Sequence, residues 1–268
     1  MNILANIAPG NILLRVYTAV LLSLAGVAGA AAQVLVPSGS FHSVLPEVKG
    51  EPVTVDSFYM DSTAVTNRQF AEFLGENEQW RPEKIPAVFA NQRYLSHWEL
   101  PTPEYKGNNP GSPVTHVSWY AAQAYCQWAG GRLPTLNEWE YSAQLVEFAS
   151  PAEARAFANR LMSWYSSVDT RNTAAVGSTG IVNRYGVRDQ FGLIMEWVQD
   201  FKPVVADNLS LDCGTVGRMQ QLGDAYSYAA SVRYITRMSF NPQSATATMG
   251  FRCAYDVKEN PKTKVRSR

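Results

Sequence analysis

The sequence predicts a single α+β domain with little regular secondary structure, and three observations carry that reading. Charged residues make up only 17% of the chain, against about 25% in typical soluble domains. Aromatic residues reach 12%, and Gly and Pro recur along the whole length. Helix signals with identifiable caps are separated by short, scattered strand signals rather than by a regular strand–helix alternation. Such a chain folds as irregular segments pinned by aromatic side chains. No internal repeat or low-complexity linker divides it.

The first thirty-two residues carry a single charge, Arg15, then an apolar run from Val16 to Val27, then small residues ending at Ala32. A weakly basic start, an apolar stretch too short to span a bilayer and an A-x-A ending predict a secretory signal peptide cleaved after about Ala32. The alternative is an uncleaved anchor, against which the terminal Gly and Ala residues speak. The expected organisation is a leader over 1–32, one domain over 33–255 and a basic tail over 256–268. The expected location is the periplasm or the exterior, with no transmembrane segment left after cleavage.

Strands are expected at Phe41–Val44, Val53–Met60 and Arg252–Tyr255. The first helix is expected from Asn67 to Leu74, because Phe70, Phe73 and Leu74 fall on one face. The stretch from Gln79 to Val114 holds six prolines and no sustained period, which predicts a long ordered surface excursion of the kind that is often functional. Ser118 is placed to cap a second helix running to about Ala129, with Trp119, Ala122, Cys126 and Ala129 on its inner face and Gly130-Gly131 as the stop. Thr135 and Glu138 form a capping box opening a third helix to about Val146. Ser150, Pro151 and Glu153 open a fourth, to about Trp164, with proline at the first helical position.

Composition excludes several functions. Without Arg15 the chain has 22 basic and 23 acidic groups, so no charge excess points to nucleic acid. The basic residues of the last dozen positions read as a solvated tail. Three cysteines, Cys126, Cys213 and Cys253, stand far apart, which excludes a Cys-x-x-Cys redox pair or a zinc knuckle as a local motif. No nucleophile elbow, phosphate loop or catalytic carboxylate pair is present. His97 and His116 invite comparison with a metal site, but only His42 remains as a third histidine, and structural roles are the simpler reading.

Three segments have a recognisable pattern: GRLPTLNEWE from Gly131 to Glu140, YGVRDQFGLIMEW from Tyr185 to Trp197, and GFRCA from Gly250 to Ala254. Together they resemble the formylglycine-generating enzyme, or sulfatase-modifying factor, family over about Val34 to Tyr255. The resemblance implies a C-type-lectin-like fold rich in irregular chain. It also implies chemistry by two cysteines five residues apart, shortly before GFRCA. Registering Arg233 and Arg237 on the family's Arg-x-x-x-Arg puts Asp224 and Ala229 at those positions. The resemblance therefore describes a degenerate member without the catalytic pair, in which formylglycine-generating activity is not expected.

Further expectations follow from the same resemblance. Cys126 and Cys253 are expected to pair in a disulfide, two buried free thiols being the alternative, with Cys213 left over as an inert thiol. A calcium ion is implied at the loop of Gly192 and Glu196. There Leu193 replaces the family's asparagine, and the alternative is a carboxylate satisfied by loop amides or an arginine. A second family calcium site lacks its aspartate at Gly177. No copper or iron is expected. Trp197, Asp224 and Arg233 would line the old substrate groove, and Arg132, Glu138, Trp139 and Glu140 would serve as framework. The function implied is a non-catalytic periplasmic regulator or adaptor that binds a protein partner of a larger envelope system, such as threonine-phosphorylation control of type VI secretion. The alternative is a metal-dependent oxidoreductase or a maturation factor, such as one accessory to copper nitrite reductase.

Overall fold

The structure is a computed structural model and describes residues 32–43, 51–98, 109–144, 148–166, 174–200 and 240–257. The expected leader, the basic tail, Cys213, Asp224, Ala229 and Arg233 lie outside the described residues. Among the described residues no helix is long and apolar enough to cross a membrane.

Among the described residues, seven short strands make three small sheets. Strands β1 (Gln33–Val36), β4 (Phe58–Asp61) and β7 (Ala254–Asp256) form an antiparallel sheet with β4 in the middle. Strands β2 (Gly39–Phe41) and β3 (Val53–Val55) pair antiparallel, and β5 (Met195–Glu196) and β6 (Met249–Gly250) pair parallel. The run expected as one strand from Val53 to Met60 is thus two, broken at Asp56-Ser57 and belonging to different sheets. The strand expected from Arg252 starts only at Ala254, the Cys253 N–H turning to the Asp61 side chain instead of to a backbone carbonyl. Of the strand expected over Phe41–Val44, Phe41 ends β2, and Val44 lies outside the described residues.

The helices begin where their caps stand. Helix α1 spans Asn67–Glu76 and opens on a capping box in which Thr66 accepts from the Gln69 N–H and the Gln69 side chain accepts from the Thr66 N–H. Helix α2 spans Trp119–Trp128, capped by Ser118 accepting from Ala121 N–H, and Gly130 at φ 81° ends it. Its buried face is Ala121, Ala122, Tyr125 and Cys126. Trp119 and Ala129, expected inside, are only partly buried, because Tyr125 turns inward to stack on Phe70 (centroids 5.8 Å apart) and to meet Phe251 edge-on. Helix α3, Leu136–Ala143, carries the predicted Thr135–Glu138 box. Helix α4 spans Pro151–Ser166, where Ser150 Oγ accepts from Glu153 N–H and the Glu153 carboxylate reaches back to Ala149 N–H.

The main core gathers α1, α2, the Phe251–Cys253 segment and a few side chains of the proline-rich excursion. Tyr94, Leu95 and Trp98 are buried in that core, with the Tyr94 hydroxyl donating to Trp80 C=O. The described part of the excursion runs over the surface as expected and is pinned there by these few inward side chains, since a long irregular segment stays ordered only where apolar burial offsets its entropy.

Candidate functional site

The three motif segments meet at a buried polar centre built around Arg252. Its guanidinium is fully buried. Nε donates to Glu196 Oε2 at 2.9 Å and Nη2 to Glu196 Oε1 at 2.8 Å. Nη2 also donates to Arg188 C=O, and Nη1 to the carbonyls of Asp61 and Ser62. All five N–H groups of the fork are therefore satisfied, which is the condition for keeping a charge out of water. Trp139 Nε1 adds a third bond to Glu196, at 2.9 Å.

Helix α3 supplies three consecutive framework residues to three different neighbours. Glu138 takes a bidentate fork from Arg132 at 2.7 and 2.6 Å, Trp139 holds Glu196, and Glu140 accepts from Ser43 Oγ at 2.7 Å. A fourth group, Asp200, accepts from Leu136 N–H at the helix start.

Asp61, at the end of β4, completes the centre and had no signal in the sequence. Its carboxylate accepts from Cys253 N–H at 3.0 Å and from the Tyr255 hydroxyl at 3.2 Å. Burial raises its pKa to about 7, opposed by the Cys253 amide, the Tyr255 hydroxyl and the Arg252 charge. Beside it Cys126 and Cys253 are joined in a disulfide with Cα atoms 5.5 Å apart. One cysteine of the three then remains, so no two-thiol centre can be assembled from this chain.

The residues at the expected calcium loop do not fit that ion. Gly192, at φ 82°, turns the chain, but both oxygens of Glu196 are engaged by Arg252 and Trp139, and Leu193 offers no side-chain oxygen. Calcium asks for six or more oxygens with carboxylate charge. Among the described residues no group of three or more His, Cys, Asp or Glu is arranged to hold a metal. The arginine alternative for Glu196 is the one present.

Trp197, expected to line a groove, is 2% exposed and belongs to the main core, its Nε1 donating to Val117 C=O at 2.9 Å. It forms the floor beneath the surface, because its indole packs inward and its polar edge is engaged by backbone. Exposed large apolar side chains include Val88 (60%) and Phe89 (38%) on the excursion and Leu35 (46%) on β1. Phe89 meets Trp80 and Tyr120 at centroid distances of 5.8 and 5.3 Å. Neither Val88 nor Phe89 belongs to a motif segment, and the sequence signal available for them was only their place in the proline-rich stretch.

Folding also brings His97 and His116 together, with ring centroids 4.3 Å apart. Burial, with the neighbouring His116 ring, lowers the His97 pKa to about 4, and burial with the Arg93 charge lowers that of His116. His42 is exposed, and its carbonyl accepts from Gln144 Nε2 at 3.1 Å.

The comparisons with known proteins agree with this architecture. The profile of the Sulfatase-modifying factor enzyme 1-like domain matches residues 22–257. The chain is 32% identical over 237 residues to inactive C-alpha-formylglycine-generating enzyme 2 of Mus musculus, covering 75% of this chain and 76% of that protein. It is 29% identical over 259 residues to the formylglycine-generating enzyme of Mus musculus, covering 78% and 69%. It is also 28% identical over 231 residues to serine/threonine-protein kinase pkn1 of Chlamydia pneumoniae, covering 82% of this chain but 36% of the kinase. Among solved structures, CarF shares the fold with a TM-score of 0.51 at 18% identity, over 85% of this chain and 99% of that one. With a buried centre built from its three motif segments and a profile match over nearly its whole length, the chain belongs to the sulfatase-modifying factor, or formylglycine-generating enzyme, family.

Proposed function

We propose that this protein is a non-catalytic member of the family, a binding module that engages a protein partner in the cell envelope. One observation carries the reading: two of the three cysteines are locked in the Cys126–Cys253 disulfide, while the framework around them is kept whole. A two-thiol reaction has no second thiol, yet every donor of the central guanidinium is satisfied. The similarity to a relative named inactive supports the same reading.

The partner face we propose is formed by Val88 and Phe89 of the excursion with Tyr120 of α2, where apolar surface and aromatic rings stand together. A partner that includes a kinase is supported by the similarity to pkn1, and fits a regulator acting ahead of threonine phosphorylation in type VI secretion. Export to the periplasm is the location proposed from the leader-like first thirty-two residues.

Two measurements test this together. Incubated with a sulfatase-motif peptide, oxygen and thiol reductant, the protein is expected to yield no aldehyde product; formylglycine formation would sink the non-catalytic reading. In capture from the envelope fraction, Val88→Asp with Phe89→Ala is expected to release partners held by the wild type. Identical capture by both proteins would remove the proposed face.

A further inference from the structure

The antiparallel sheet of β1, β4 and β7 is apolar on both of its faces. Inward, Val36, Phe58, Met60 and Ala254 join one buried cluster. Outward, the register sets Leu35 opposite Tyr59 and Tyr59 opposite Tyr255, so one row of apolar side chains crosses all three strands. Val257, one residue past β7, continues the Tyr255 side of the pleat. Leu35 is 46%, Tyr59 37% and Val257 39% exposed. An antiparallel sheet packed on one face ordinarily turns polar residues to water on the other. A single exposed apolar residue is ordinary, but a contiguous exposed row marks a surface that meets something apolar.

The row is held in place and carries no exposed acid. The Tyr255 ring lies against Gly131, where an added Cβ would stand 2.6 Å from it, and its hydroxyl donates to Asp61 Oδ1 at 3.2 Å. Asp61 is the one carboxylate on the outward positions of the three strands, and it is 2% exposed. Asp256, at the rim, is held by Arg132 Nη2 at 2.8 Å. From Val257 the chain passes directly into residues 258–268, where the sequence places Lys258, Lys262, Lys264, Arg266 and Arg268 against a single acid, Glu259. The apolar row and a basic segment are therefore joined covalently at Val257.

We infer that this sheet face, together with the basic segment that follows it, docks on an anionic lipid bilayer surface. Attachment without a spanning helix takes two signals, apolar insertion and attraction to anionic headgroups. Leu35 and Val257 supply the first, and Tyr59 suits the boundary because its ring is apolar and its hydroxyl wet. The five basic residues supply the second, in the manner of a polybasic segment beside a membrane. A second copy of the chain fits the face less well, since it would bring one basic segment against another. The site shares no residue with the face of Val88, Phe89 and Tyr120, so substitutions here leave that face untouched.

Cosedimentation of the full chain with vesicles of phosphatidylglycerol and phosphatidylcholine, against vesicles of phosphatidylcholine alone, tests the assignment. Binding is expected to the anionic vesicles and is expected to fall when about 0.5 M salt is added. Leu35→Ser with Tyr59→Ser, which changes no charge, is expected to weaken it about tenfold. Lys262→Gln, Lys264→Gln, Arg266→Gln and Arg268→Gln together are expected to weaken it at least as much. Should Tyr59→Ser not fold, Leu35→Ser with Val257→Ser decides alone. No binding of the wild type to anionic vesicles, or equal binding by the wild type and the variant at Leu35 and Tyr59, would overturn the inference. So would a concentration-dependent dimer in the ultracentrifuge that Leu35→Ser abolishes, which would assign the face to a second copy.

Discussion

Two arginine–glutamate pairs in this protein share a bidentate geometry and differ in depth. Arg132 and Glu138 meet at the start of α3 with side chains 25% and 12% exposed, and Arg132 also reaches the 78% exposed Asp256. Arg252 and Glu196 meet at the centre, both 0% exposed. Water can replace either partner of the first pair, so its loss is modest. The second has no such replacement: removing one partner leaves a buried charge and several orphaned polar groups. The outer pair tightens a helix cap, whereas the inner pair decides whether the motif segments come together at all.

The largest effect is expected from the staple beside the inner pair. Opening Cys126–Cys253 with Cys253→Ser frees a loop of 127 residues, which the chain-entropy relation values at about 4–5 kcal/mol. Urea unfolding of oxidised wild type against the variant measures it, and a loss under about 1 kcal/mol would show that the polar centre holds without the staple. Next, Glu196→Gln or Arg252→Ala is expected to lose about 3–5 kcal/mol. The double variant Arg252→Met with Glu196→Leu is expected to recover part of that, since no lone charge is left behind. Non-recovery in the double variant would break the contrast drawn between the two pairs.

Asp61 gives the centre a pH dependence. Its folded pKa, raised to about 7 from 3.8, means that the folded state binds the proton more tightly than the unfolded one. Its favourable contribution is complete below about pH 3.8 and is lost as pH rises through about 7. The loss amounts to on the order of 4 kcal/mol. Stability curves of wild type and Asp61→Asn are therefore expected to separate progressively between pH 4 and 7, and parallel curves would contradict it. Smaller still, Arg132→Ala is expected to lose about 1 kcal/mol or less, a loss that added salt reduces in advance. Smallest of all, EDTA is expected to leave the thermal midpoint unchanged, since Arg252 and Trp139 engage the Glu196 carboxylate. A clear drop would reopen the loop of Gly192 and Glu196 as a calcium site.

How much was legible in the sequence follows the range of each interaction. The boxes at Thr135–Glu138 and Ser150–Glu153 and the cap at Ser118 were readable because donor and acceptor lie within three residues. The box at Thr66–Gln69 has the same signature, whereas the expectation of that helix rested on its apolar face alone. The split of the Val53–Met60 run was not, since each half answers to a different strand. Nor was the burial of Tyr94, Leu95 and Trp98, because proline content signals irregular backbone without saying which side chains point inward. Trp197 shows the same limit: its place in a motif was legible, its inward orientation was not.

The sequence by itself determined the helix starts, the shortage of thiols for two-cysteine chemistry and the family to which the chain belongs. Those depend on identity and on neighbours along the chain. Tertiary structure alone decided that Arg252 meets the Glu196 carboxylate, that Asp61 joins Cys253 across 192 residues, and that His97 faces His116. Contacts of that kind form only after loop-closure entropy has been met by burial elsewhere, so the residues that make them carry no trace of their partners in the local sequence.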